Sequence, residues 1–199
     1  SRVAHERDTL GKKNEAWKSA PDLMIAVGEA MACIADGRAR RMITGASEMD
    51  PTLEQLYALD QAGVLATTQP EKAGLTVSEA GVTFVVESLA LAHARHVSPY
   101  AKIMAYENSY IPNITQQTPA QLTQQIKAHL ERTLNQAGIN AAALDAIQLT
   151  LAGIPEQDHA QASAVHQLFG EQISVLCASD YTGFALGAAA ATNLFYACL

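Results

Sequence analysis

Two stretches rich in alanine and glycine decide how this sequence folds: residues 23–35, LMIAVGEAMACIA, and residues 182–199, TGFALGAAAATNLFYACL. Both are apolar around the whole circumference of a helix, which predicts helices that are buried on every side. Their small side chains let neighbouring backbones approach closely. The second stretch has a GxxxG spacing beginning at Gly183, but it falls short of the ~20 residues of a membrane span and the polar Asn193 interrupts it. We therefore expect two buried helices of a soluble protein.

Length and composition indicate a globular chain. The 199 residues include 49% hydrophobic and 17% charged side chains, which is too rich in core formers for a disordered protein. Thirteen Lys and Arg against 20 Asp and Glu give a net charge of −7, so no general attraction to nucleic acid or to an anionic membrane is expected. Three separated cysteines without a CxxC pair suit free thiols in a reducing compartment, and the charged start of the chain lacks an apolar signal segment. We expect a cytoplasmic protein with no nucleic-acid or membrane partner.

Predicted strands alternate with predicted helices along the rest of the chain. The strands are expected at residues 41–45, 80–87, 146–152 and 173–177, and the helices at residues 53–60, 88–96, 118–137 and 155–168. The helix that begins after Thr118 has the clearest signals, with Pro119 at its first position, Gln121 completing a capping box and Gly138 after its last turn. Residues 100–107, YAKIMAYE, alternate with a period of two, a pattern typical of a strand. Strands separated by helices predict a largely parallel sheet covered by helices.

The cysteines do not form an obvious nucleophilic site. Cys33 is expected inside a helix, Cys177 at the end of a strand and Cys198 in the last helical turn. A nucleophilic thiolate normally lies at a helix N-terminus or beside a base, so buried inert thiols are the better interpretation. A GxSxG elbow and a P-loop are both absent from the sequence.

The histidines do not predict a metal centre. His93 and His96 are expected at a helix end, where cations are favoured by the helix dipole. His159 and His166 are seven residues apart and no cluster of further ligands accompanies them. The carboxylate of Asp158 is attributed to ordinary helix capping. The residues alone therefore predict no metal and no cofactor.

One basic concentration, formed by Arg38, Arg40 and Arg41, follows the first small-residue helix. Cations commonly complete a helix C-terminus, which by itself accounts for the cluster. The alternative is a dock for an acidic partner. The sequence leaves both interpretations open.

Four stretches stand in a distinctive order along the chain. They are residues 25–39, IAVGEAMACIADGRA; residues 42–48, MITGASE; residues 79–88, EAGVTFVVES; and residues 182–190, TGFALGAAA. From about residue 14 to residue 199 this order resembles the β-ketoacyl-ACP synthase family of the thiolase fold. The resemblance implies a duplicated αβαβα sandwich in which the two Ala/Gly-rich helices are central. It implies one partial domain over residues 1–199, truncated at both ends relative to a ketosynthase about twice as long.

The resemblance also implies the extent of the two halves and where the family's reactive groups fall. The N-terminal half-motif covers about residues 14–96 and the C-terminal half-motif about residues 97–199. The nucleophilic cysteine position falls on Ala20, the first histidine on Thr150, the lysine on Ser179 and the second histidine on Phe184. An alanine cannot attack a thioester, so the resemblance implies a chain without catalytic residues.

A chain that keeps the scaffold but lacks the reactive groups resembles a chain-length factor. The resemblance then implies a heterodimer with an active ketosynthase, in an aryl-polyene or type II polyketide system, with an acyl carrier protein as a further partner. Because such carriers are acidic, Arg38, Arg40 and Arg41 become docking candidates. Two alternatives stay open: a thiolase-fold enzyme with a relocated nucleophile such as Cys177 or Ser179, and a purely structural scaffold subunit.

Overall fold

The computed structural model describes residues 22–49, 51–66, 74–112 and 114–199. The helices and strands follow in the order α1 (Asp22–Ala35), β1 (Arg41–Glu48), α2 (Leu53–Gln61), β2 (Ala80–Glu87), α3 (Leu89–Ala94), α4 (Pro119–Ala137), β3 (Ala146–Leu149), α5 (Pro155–Phe169), β4 (Ser174–Cys177), α6 (Ser179–Thr182) and α7 (Ala189–Ala197). Single 3-10 turns lie at Ile114–Gln116, Ala141–Ala143 and Leu186–Ala188. None of the helices in these ranges is long and apolar enough to cross a membrane.

The strands form two separate pairs. β3 and β4 are parallel, with α5 as the crossover between them, which confirms the prediction for this part of the chain. β1 and β2 are antiparallel, with Arg41 opposite Glu87 and Glu48 opposite Ala80. The prediction of a largely parallel sheet is therefore wrong for β1 and β2. The long connection that contains α2 returns the chain to the end of the sheet at which β1 stops, so no crossover is made.

The two Ala/Gly-rich helices meet in the core. Val27 on α1 is 2% exposed and Ala191 on α7 is 0% exposed, and both pack against the inner face of β1 and β2 through side chains such as Val82 and Phe84. This confirms the expected close approach of small-residue helices. α1 is not buried on every side, however, because Met24 is 37% exposed. Within the described residues, the strands and α7 cover only part of the apolar surface of α1.

The prediction of one helix over residues 182–199 is wrong for its first part. α6 ends where Gly183 takes a left-handed φ of +75°. The next residue, Phe184, leaves the helical path and forms a bridge with a neighbouring segment: its N–H donates to the Thr76 carbonyl at 2.7 Å and its carbonyl accepts from Ser78 N at 3.2 Å. α7 begins only at Ala189. The GxxxG spacing therefore serves a turn and not a helix face.

The capping signals of α4 are confirmed. The Thr118 side chain accepts from Gln121 N at 3.3 Å, and Gln121 Oε1 accepts from Thr118 N at 2.9 Å. Pro119 begins the helix, and Gly138 closes it with a left-handed φ of 66°. The strand expected at residues 100–107 is absent, since the structure has neither helix nor strand there. A strand needs a hydrogen-bonded neighbour, which local periodicity cannot supply.

Candidate functional site

The candidate site lies where β3 and β4 end side by side. Thr150 follows β3 directly, and Ser179 lies just beyond β4. The Ser179 hydroxyl donates to the Leu151 carbonyl at 2.7 Å, so the segments after the two strands are joined. The parallel pairing thus brings together two positions that the family resemblance singled out.

Asn193, in the middle of α7, is the hub of this region. Its Nδ2 donates to the Leu149 carbonyl at 3.1 Å and to Thr150 Oγ1 at 2.5 Å. Its Oδ1 accepts from Gln148 Nε2 at 3.1 Å and from Ala178 N at 3.3 Å. The side chain therefore ties α7 to the ends of both strands while only 6% of the residue is exposed. The sequence by itself marks Asn193 only as a polar interruption of an apolar stretch. A lone asparagine among buried alanines was the signal for a partnered polar group.

Phe184 and Ala20 complete the set of predicted positions. Phe184 is half-buried on the segment that pairs with Thr76 and Ser78. The preceding Gly183 lines a small pocket with Ser179 and Asn193 that leaves no space for a water molecule. Ala20 lies outside the described residues. Assignment of these positions to the family's reactive groups stays a prediction.

The hydroxyl and thiol groups at this site bond to one another and to the backbone. The Ser179 hydroxyl donates its hydrogen to a backbone carbonyl, and Cys177 Sγ lies 3.0 Å from Ser179 Oγ. Within the described ranges, no histidine, lysine or carboxylate hydrogen-bonds to Thr150, Cys177 or Ser179. A serine or cysteine nucleophile needs an adjacent base or a positive environment to react. The arrangement serves to join strands and helices.

Asp158 lies at the start of α5, as expected, and also binds the preceding loop. Its carboxylate accepts from Ala152 N at 3.1 Å and from Gly153 N at 2.8 Å. From the first turn of α5, where the sequence placed an acidic side chain, it therefore also holds the loop between β3 and α5. Gly153 has a φ of +78°, and a Cβ there would overlap the backbone carbonyl of Gly74. The loop can hold this shape only with glycine at that position.

Two arginines of the basic cluster, Arg38 and Arg41, lie beside acidic side chains. Arg41 Nε lies 2.9 Å from Glu87 Oε2, Arg95 binds the other oxygen of the same carboxylate, and Arg38 lies 3.1 Å from Asp36. The hydrogen bond from Arg95, together with Arg41, lowers the pKa of Glu87. The sequence alone does not place Glu87 beside Arg41, because that contact depends on the register of β1 and β2. The docking role of the arginines stays a prediction.

In this fold, α1 packs on α7 beside β1 and β2, and the parallel pair β3 and β4 follows. This arrangement is the thiolase type found in ketosynthases. The chain superposes on a β-ketoacyl synthase from Burkholderia phymatum STM815 with a TM-score of 0.78 and 24% identity, covering 88% of this chain and 45% of that one. It superposes on AntDE:AntF, a type II PKS acyl-carrier protein in complex with its ketosynthase, with a TM-score of 0.79 and 24% identity, covering 88% of this chain and 46% of that one. For the ishigamide ketosynthase/chain length factor the TM-score is 0.72 at 17% identity, covering 90% and 45%.

In sequence, the chain is 28% identical over 180 residues to 3-oxoacyl-[acyl-carrier-protein] synthase 2 of Coxiella burnetii (strain RSA 493 / Nine Mile phase I), covering 83% of this chain and 43% of that protein. No family model matches. These similarities confirm the expected fold. The chain spans less than half the length of the proteins that it matches.

Proposed function

We propose that this chain is a chain-length-factor-like subunit that performs no condensation itself and pairs with an active β-ketoacyl-ACP synthase. Its role is to help shape the tunnel that holds the growing acyl or polyene chain. The observation that carries the proposal is the hydrogen bonding of the Thr150 and Ser179 hydroxyl groups. At positions where the resemblance implies a histidine and a lysine, both hydroxyl oxygens take part in hydrogen bonds that join structural elements.

The exposed apolar surface supports a protein partner. Val27 is the largest fully buried side chain among the described residues. Ile43 and Val85, which face each other across β1 and β2, are 69% and 63% exposed. Adjacent large apolar side chains on an open sheet face mark an interaction surface. A ketosynthase subunit is the proposed occupant, in an aryl-polyene or related type II polyketide system.

Phe184 provides a physical basis for a tunnel role. At the position where the resemblance implies a second histidine, a phenyl ring contributes bulk and no proton transfer. Its backbone is fixed on both sides by hydrogen bonds to Thr76 and Ser78, so the ring has a defined place. A fixed apolar side chain can act as a wall or a stopper for a growing chain.

Co-expression with an intact type II ketosynthase tests the proposal. A stable one-to-one complex is expected, and acyl-carrier thioester should label the ketosynthase alone. Removing the ketosynthase's own nucleophilic cysteine is the control, and it should abolish labelling of the complex. An acyl adduct on this chain would overturn the non-catalytic role and support a relocated nucleophile, for which Cys177 and Ser179 are the sequence candidates.

Docking of the acidic carrier protein is a separate part of the proposal. Arg40 is exposed, whereas Arg38 and Arg41 each have an acidic neighbour. We expect Arg40→Glu to slow carrier association and to reduce its salt dependence, because rim charges act mainly on the encounter rate. Lys127→Glu, on α4, is the control for the change of charge; Lys127 is half-buried and its Nζ lies 4.0 Å from Glu131 Oε1. Equal effects of the two substitutions would contradict a dock at this cluster.

A further inference from the structure

The turn that follows Phe184 contains a strained residue. Leu186 has a φ of 40°, in the left-handed region that a leucine seldom adopts. A hydrogen bond from Ala188 N to the Ala185 carbonyl at 2.7 Å closes the turn, and these two alanines are 0% and 2% exposed. A strained backbone persists only where the surrounding structure holds it. The contacts of the turn therefore show what keeps Leu186 in this conformation.

Two segments that are distant in sequence hold this turn. At its start, the backbone of Phe184 pairs with residues 76–78. At its end, Gly187 N donates to Glu48 Oε2 of β1 at 3.3 Å. This second bond is made by the peptide group that joins Leu186 to Gly187. The Glu48 carboxylate therefore acts directly on the strained part of the backbone.

The turn is closely packed at both ends. A Cβ added at Gly187 would lie 3.1 Å from Glu48 Oε2, and a Cβ added at Gly183 would lie 2.8 Å from the Cβ of Ser78. Both distances are shorter than an ordinary van der Waals contact between such atoms. Closely packed groups pass a displacement on to their neighbours. A change at Glu48 is therefore expected to reach Phe184 through the turn.

We propose that Glu48 is a positioning residue for the ring of Phe184, and that through this ring it determines the length of the acyl chain that the complex makes. With the carboxylate in place, Leu186 stays left-handed and the turn holds Phe184 in one position. Without it, Leu186 relaxes to a negative φ and loosens the Phe184 carbonyl, whose bond from Ser78 N is the longer of its two at 3.2 Å. The effect on chain length rests on the proposed function, whereas the positioning of the ring does not.

Fluorine NMR of the full chain tests the positioning. Labelling the four phenylalanines with para-fluorophenylalanine gives each ring a resonance, and Phe184→Leu identifies that of Phe184. Glu48→Ala should shift the Phe184 resonance, because the turn relaxes. Glu48→Gln should leave it in place, because an amide oxygen still accepts from Gly187 N. An unshifted resonance in Glu48→Ala, or equal shifts in the two variants, would overturn the proposal.

Substitutions of Leu186 test the strain separately and keep Glu48 in place. Glycine adopts a left-handed φ at little cost, whereas alanine retains the Cβ that makes it unfavourable. Leu186→Gly should therefore unfold about 2–4 °C above Leu186→Ala. Glycine should also compensate for the lost carboxylate, so Glu48→Ala combined with Leu186→Gly should return the Phe184 resonance to its wild-type position. A Tm for Leu186→Gly no higher than that of Leu186→Ala would contradict the role of strain.

The product of the ketosynthase complex tests the consequence for chain length. Glu48→Ala should lengthen the product as Phe184→Ala does, and should add nothing to Phe184→Ala, since no ring is left to position. Glu48→Gln should give the wild-type product. A product that changes with Phe184→Ala but not with Glu48→Ala would overturn control by Glu48. If neither changes the product while the Phe184 resonance shifts, the tunnel role in the proposed function is wrong and the positioning of the ring is supported.

Discussion

Replacement of Asn193 by alanine is the sharpest test of how this fold is held together. The substitution removes four hydrogen bonds at once, two donated by Nδ2 and two accepted by Oδ1. Two of the groups that lose a partner, the N–H of Ala178 and the carbonyl of Leu149, belong to residues only 7% and 8% exposed. Since water reaches them poorly, their hydrogen-bonding capacity would go unsatisfied.

The expected cost follows from these contacts. A hydrogen bond contributes about 1 kcal/mol net, and a buried group left without a partner costs about 1–3 kcal/mol. Asn193→Ala should therefore lower the free energy of unfolding by about 3–5 kcal/mol, a large part of the roughly 5–15 kcal/mol available to a domain. The measurement is urea unfolding followed by circular dichroism, with the m-value checked for constancy.

Thr192→Val provides the matched control on the same helix. Thr192 is also buried, but its hydroxyl bonds only to the Ala188 carbonyl one turn earlier. Losing that bond should cost about 1 kcal/mol or less, because the change keeps the shape of the side chain. If Asn193→Ala costs no more than Thr192→Val, then Asn193 does not join α7 to the two strands and the description of the hub is wrong.

Three further predictions concern pH, backbone and function. Burial, followed by the nearby Arg132, lowers the pKa of His129 in the folded protein. Because the unfolded chain then binds a proton more readily, the free energy of unfolding should fall as the pH drops from about 6.5 towards the lowered pKa of the folded state. His129→Gln should flatten that part of the plot of Tm against pH. Gly153→Ala combines a φ of +78° with a backbone overlap and should cost about 3 kcal/mol or more in urea unfolding. Gly138→Ala, with a left-handed φ of 66° and no atom near the added Cβ, should cost about 1 kcal/mol; equal costs would contradict the overlap. Phe184→Ala should lengthen the product of the ketosynthase complex as measured by mass spectrometry, and an unchanged product would favour a scaffold role.

Local sequence determined the elements whose signals lie within a few residues of one another. The cap of α4 depends on Thr118 and Gln121, three positions apart, and the end of the helix depends on Gly138. The composition of α1 likewise predicted a helix whose small side chains contact another helix. The order of the four quoted stretches indicated the fold, because the order of helices and strands along the chain can be compared with a known family before their packing is known.

Only the tertiary structure decided how these elements pair and which side chains meet. Sequence alternation in residues 100–107 could not show whether this segment pairs with another strand. Alanine content could not show that the chain leaves the helical path at Phe184 to bond with Thr76. The contacts of Asn193 with Leu149, and of Glu87 with Arg41, join positions more than 40 residues apart in the chain. Helix propensity and capping act over one or two turns, whereas pairing, register and burial depend on residues brought together by the whole fold.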